Sequence, residues 1–304
     1  MEGEKKKAKA AAEAIKAASE AVPSIFSIDL QTVTDNLLAV SVLDNSADST
    51  TELSEKVQSL PVVIRGLQAI SDCCTQPRVQ MVLSTWAGSY KKQCKETGRA
   101  QKNVVAADSN AKASLQEMWK TIVGTAHSDC AVDPAATNAT LNSLLNVEWL
   151  YGYEPEHHNI GHMPNGLDMW KLLQAGEVLN MMVSICDLVA AMKMVKGTDA
   201  SIKMTCLKDE FKNLTAERLS ALQVRAYHHK QHPGDLLFVP PGWLHAELCV
   251  SGVLLYGLRK SVLLQAPEAG SNYESLIECM AADGAQVDNY KLALPFMKTD
   301  DDDD

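Results

Sequence analysis

His245 is the side chain in this sequence that its neighbours best prepare for chemistry. It lies in the stretch "HPGDLLFVPPGWLHAEL" (232–248), where an apolar run is entered through Pro233-Gly234-Asp235 and left through Pro240-Pro241-Gly242, with Trp243 just before the histidine. A neutral imidazole fixed at a strand end can ligate a metal ion. The same residue can equally be a strand-end histidine buried against Trp243. Further imidazole and carboxylate groups stand at His162 and, in "HSD" (127–129), at His127 and Asp129. Imidazole and carboxylate together form the usual donor set for first-row transition metals. Arg259 and Ser261, in "RKS", offer a guanidinium fork and a hydroxyl suited to a carboxylate ligand, or a strand end meeting solvent. In "EPEHHNIGH" (154–162) His158 and His162 are spaced like a helical metal pair. Pro155, Asn159 and Gly161 oppose a helix there, so a surface loop is expected. His228 and His229 alternate faces if extended, so at most one of them points into a shared interior.

Short elements have to position these groups. Apolar runs with strand character cover 169–174, 177–185, 224–230, 235–239, 245–250 and 253–258, separated by Gly and Pro turns. Helices are expected over 186–195 and over 214–223, the second capped by Asn213 or Thr215. Several short strands with such turns suggest a small barrel or sandwich. Upstream, apolar spacing over 51–70, 78–96 and 110–125 is helical, with Pro61 dividing the first of these. No nucleophile elbow, phosphate loop or dinucleotide glycine fingerprint occurs. The reading by region is a solvated Ala/Lys-rich segment (1–27), a mainly helical region (28–125), a loop-rich linker (126–168), a β domain (169–265) and a C-terminal segment with an acidic tail (266–304).

The stretch 232–248 resembles the distal metal-binding strand pair of the JmjC branch of the cupin superfamily: a Pro-Gly-Asp turn, an apolar strand, a Pro-rich turn, then Trp and His. The resemblance implies a double-stranded β-helix and, in the family's enzymes, Fe(II) held by two histidines and one carboxylate with open positions for 2-oxoglutarate and oxygen. "GHMPNGLDMWKLLQAGEVLNMMVSICDL" (161–188) resembles the family's upstream half, with His162 as the first metal ligand. Pro164 stands at the carboxylate position, Val178 where the cosubstrate-pairing lysine is expected, and Cys249 where an Asn often follows the distal histidine. His127 and Asp129 form a literal His-x-Asp but lack the following strand layout. Arg259 and Ser261 resemble the Arg-x-Ser that anchors the far carboxylate of 2-oxoglutarate in other oxygenases of this type.

The fold class expected is α+β: a helical N-terminal region followed by a cupin/JmjC-like double-stranded β-helix. A net charge of −10, part of it in Asp300 to Asp304, argues against general nucleic-acid binding. The eight cysteines form no CxxC pair, and no run is apolar enough to span a bilayer. An intracellular protein, cytoplasmic or nuclear, with reduced thiols is expected. The first functional reading is a non-catalytic binding or scaffolding module for an unknown protein or small-molecule ligand. The second is a Fe(II)/2-oxoglutarate hydroxylase or demethylase with an altered triad. The third is a cupin that binds a metal or ligand without oxidation.

Overall fold

The structure, a computed structural model, describes residues 38–44, 60–65, 101–104, 150–153, 158–162, 167–260 and 267–297. Its architecture is mixed α and β. The strands are β1 (Leu38–Ala39), β2 (Ser41–Asp44), β3 (Val62–Arg65), β4 (Gln101–Val104), β5 (Leu150–Tyr153), β6 (His158–His162), β7 (Met169–Ser184), β8 (Ala226–Gln231), β9 (Leu236–Val239) and β10 (Trp243–Lys260). Helices α1 (Ile185–Lys196), α2 (Met204–Lys212) and α3 (Ala216–Leu222) separate β7 from β8, and α4 (Pro267–Ala282) and α5 (Asp288–Lys291) follow β10.

Strands β7 and β10 run antiparallel and hold everything else. The C-terminal half of β7 pairs with β8 and with the start of β10, and these partners add β1 and β6. The N-terminal half of β7 pairs with β9 and with the end of β10, and these add β3, β2, β5 and β4. One pair of long strands therefore serves two groups of partners. Gly176, at φ 84, sits where β7 passes from one group to the other, a left-handed backbone conformation that glycine adopts without a Cβ clash. The β7–β10 register shifts between Cys249 and Ser251 and again before Tyr256, as a bend of both strands requires. Among the described residues the strand order ends at β2 and β4, and no ladder closes a barrel.

The alternation along β7 and β10 sorts two chemistries to two faces. Leu179, Met181, Val183, Leu244 and Ala246 pack against helix residues that include Leu188, Leu207, Phe211, Tyr273 and Leu276. Each side chain of this size, when fully buried, contributes about 1.5–3 kcal/mol. The intervening positions, Asn180, Met182, Trp243, His245 and Glu247, face away from the helices. There Met182 and Trp243 join Val40, Val63, Met169, Leu237 and Val239 in a second apolar cluster.

The helix ends follow local rules. The Ser184 hydroxyl accepts from the Asp187 N–H at 3.3 Å and caps α1, with Asp187 in the first turn and Lys193 and Lys196 in the last. Thr215 caps α3 by accepting from the Arg218 N–H at 3.1 Å, whereas Asn213 ends α2. Both expected helices are present. The four runs at 169–174, 177–185, 245–250 and 253–258 merge into β7 and β10, because the breaks between them are bends and not chain reversals. Helices α2, α4 and α5 were not expected. Residues 62–65 form a strand, although the apolar spacing of 51–70 is helical. Their Val-Val-Ile run packs better on a sheet. The remaining described residues of 28–125 are also largely strand; the rest of that helical expectation lies outside the described residues. Residues 150–153 and 158–162, expected in a loop-rich linker, are strands against β10. No helix among the described residues is long and apolar enough to cross a membrane.

Candidate functional site

On the face of β7 and β10 turned away from the helices, polar groups form a chain through the interior. His245 is 2% exposed, and its Nε2 lies 3.5 Å from a Glu247 carboxylate oxygen. The two are separated by one residue on a strand, so alternation puts both side chains on the same face. Glu247 also accepts from the Lys171 ammonium. Lys171 Nζ further donates to Asn180 Oδ1 at 2.7 Å. Asn180 Nδ2 donates to Gln231 Oε1 at 3.3 Å, and Gln231 Nε2 donates to the carbonyls of Lys171 (2.9 Å) and Asp235 (2.8 Å). Lys171, Asn180, Gln231 and Glu247 are all essentially inaccessible to solvent. Full burial of a lysine is rare and demands paired, hydrogen-bonded partners, which the carboxylate and the amide supply.

A second cluster is built on Asp235 of the Pro-Gly-Asp turn. The turn closes through Asp235 N–H to His232 C=O at 3.0 Å and is tied to β7 by Gly234 N–H to Leu173 C=O at 2.8 Å. The Asp235 carboxylate accepts from Arg65 Nε (2.6 Å) and from the other arm of the same guanidinium (3.0 Å). It also meets His229 Nε2 at 3.1 Å and accepts from the His232 N–H at 3.0 Å. Burial pushes its carboxyl upward, but the hydrogen bonds from His229, Arg65 and His232 outweigh that and hold it well below the usual carboxylate range. Beside it, burial and then the neighbouring His229 lower the pKa of His228. Only His229 of this pair joins the interior cluster, consistent with the alternation expected for an extended pair.

The other candidate residues distribute as follows. Strand β6 pairs with β10 so that His162 is opposite Leu244 and Gly161 is opposite His245. The register of β7 and β10 places Arg259 opposite Lys171. Val178, where the resemblance would put a lysine, is fully buried. Its neighbour Glu177 lies 3.0 Å from the Lys230 ammonium, which holds the Glu177 carboxyl below its ordinary pKa. Asp168 is buried and accepts from Trp170 Nε1 at 2.9 Å. His127, Asp129, Pro164 and Ser261 lie outside the described residues. Among the described residues no three of His, Cys, Asp and Glu are grouped to hold a metal ion.

Lys171, Asn180, Gln231 and Glu247 were missed in the sequence. Glu247 was detectable, since "HAE" spaces a histidine and an acid by the strand period. Lys171 and Asn180 carried no such signal, because their contact depends on the bend of β7 between them.

The turn before His245 is held from the C-terminal side. Asn272 of α4 is buried, and its Oδ1 accepts from Ser184 Oγ at 2.7 Å and from Cys186 N–H at 3.1 Å. Gly242, at φ 67, packs so tightly on Asn272 that a Cβ there would collide with the Asn272 backbone. Ile185 N–H donates to Gly242 C=O at 3.2 Å. The start of α1, the turn at 240–242 and α4 thus fix one another, three residues before His245.

No protein-family model and no curated protein matches the chain.

Proposed function

We propose that this chain is a JmjC/cupin-like module, built on a double-stranded β-helix plan, that binds or scaffolds a partner without oxidative catalysis. The support for the plan is the two groups of strands shared by β7 and β10, together with the Pro-Gly-Asp turn, apolar strand and Pro-Gly turn that lead to Trp243 and His245. The observation that carries the functional reading is the closure of Lys171, Asn180 and Glu247 on one another beside His245. Among the described residues no three of His, Cys, Asp and Glu are grouped to hold a metal ion, and the Glu247 carboxylate beside His245 is engaged by Lys171. This set falls short of a 2-His-1-carboxylate triad.

The test is anaerobic loading of the full chain with Fe(II), followed by elemental analysis of wild type and His245→Ala. The expected result is sub-stoichiometric iron that does not depend on His245. Stoichiometric iron lost in His245→Ala would overturn the proposal, and a stoichiometric metal other than iron would favour a non-oxidative cupin. One observation favours the second reading, a Fe(II)/2-oxoglutarate oxygenase with an altered triad: the His245 imidazole and the Glu247 carboxylate are neighbours at 3.5 Å. Under that reading Arg259 and Ser261 would hold the cosubstrate carboxylate, and His162, or His127 with Asp129, would complete the donors. Iron-dependent conversion of 2-oxoglutarate to succinate distinguishes the two.

A further inference from the structure

We propose that Lys171 and Asn180 become joined by an intramolecular isopeptide bond, with Glu247 carrying the protons. This inference is independent of the binding role above and rests on the placement of three side chains. All three lie in the interior at 0%, 0% and 1% exposure. Lys171 Nζ meets the carbonyl end of the Asn180 amide at 2.7 Å, and the same Nζ is in contact with the Glu247 carboxylate. Glu247 stands directly opposite Asn180 in the β7–β10 ladder, so acid and amide flank the amine from adjacent strands. The amide is oriented for the reaction: its oxygen faces the lysine while its nitrogen is directed to Gln231 Oε1, on the far side.

The chemistry balances without any co-reactant. In an interior that excludes water, an ammonium and a carboxylate in contact can exchange a proton to give a neutral amine and a neutral acid, which removes two buried charges. The free amine is a nucleophile, activated by desolvation and by the adjacent base. Its lone pair attacks Cγ of Asn180 while the Glu247 acid hydrogen-bonds to the developing oxyanion. The Nζ–Cγ bond forms, Glu247 accepts a proton from Nζ and delivers one to Nδ2, and the Cγ–Nδ2 bond breaks. Ammonia departs and takes up the remaining proton, so Glu247 ends as the carboxylate it began as. Holding the reactants in contact supplies the effective concentration that an amide needs as electrophile, and exclusion of water protects both the amine and the product. The product closes a ring over residues 171–180, across the bend at Gly176, and ties together the two halves of β7 that serve different groups of strands.

The test is mass spectrometry of the full-length folded chain. The expected intact mass is that of the sequence less one ammonia, and proteolysis yields a branched peptide in which Lys171 is linked through Nζ to position 180. Asn180→Asp retains the carbonyl and is expected to expel water, giving the same cross-linked product as wild type. Asn180→Ala and Lys171→Arg are expected to keep their full sequence masses. Glu247→Gln is expected to slow cross-linking at least about a hundredfold, the scale of a lost general acid/base. A folded wild-type chain at full sequence mass overturns the proposal, with folding judged by near-ultraviolet dichroism and independent of how the variants fold. So does an ammonia deficit that maps to a cyclised, unbranched Asn180. Unchanged kinetics in Glu247→Gln would overturn the role given to Glu247.

Discussion

Replacing Asp235 by Asn tests whether the Pro-Gly-Asp turn is held by charge or only by its backbone geometry. The side chain is 5% exposed and receives a two-pronged contact from Arg65, a contact from His229 and one from the His232 N–H. Breaking a fully buried ion pair costs about 3–5 kcal/mol, and a single hydrogen bond to a charged group about 1.5–3 kcal/mol. Arg65 is 41% exposed and can be rehydrated, so its share is discounted. Asn keeps one acceptor oxygen for the His232 N–H. The expected loss near neutral pH is therefore about 2–3 kcal/mol. The pH dependence gives a sharper signature. Asp235 is depressed in the folded state, so its contribution is present above the unfolded carboxyl value, about 4, and is lost as pH falls through the folded value. Wild type and Asp235→Asn should differ most at neutral pH and converge in acid. Urea denaturation followed through the buried Trp170 and Trp243 from neutral pH downward measures this. A difference under about 0.5 kcal/mol, the size of an ordinary surface substitution, would refute the reasoning. A difference independent of pH would show that shape and not charge holds the turn.

Three further outcomes are expected. Gly242→Ala should destabilise the fold by at least about 2 kcal/mol, because it combines a left-handed backbone with a Cβ driven into Asn272; thermal melting measures the loss, and limited proteolysis should show α4 released. Cys279 should resist alkylation in the native protein at mildly alkaline pH while Cys186 and Cys206, half-buried, react sooner. Burial, then the nearby Glu278, pushes the Cys279 thiol up to about 12, and peptide mapping after timed alkylation reads the order. Thr215→Ala should cost about 1 kcal/mol, the value of a lost N-cap, with Thr215→Ser retaining most of it in chemical denaturation.

What the sequence determined by itself was local. The Pro-Gly-Asp and Pro-Pro-Gly punctuation around "DLLFV" delimits β9, because Gly and Pro restrict the backbone wherever they occur. The cap at Thr215, and the two-residue strand period that puts His245 and Glu247 on one face, are likewise set within a few residues. The tertiary structure alone decided what that face meets. A bend in β7 turns Lys171 back toward Asn180, nine positions along the same strand, and the register with β10 brings Glu247 to both. Pairing register and strand curvature are settled by the whole set of neighbouring strands, so no short window of sequence contains them. The strand at Val62–Arg65 makes the same point in reverse. Its apolar spacing fits a helix, yet pairing with β9 buries it as a strand, since the free energy of joining a sheet exceeds a local preference of a few tenths of a kcal/mol per residue.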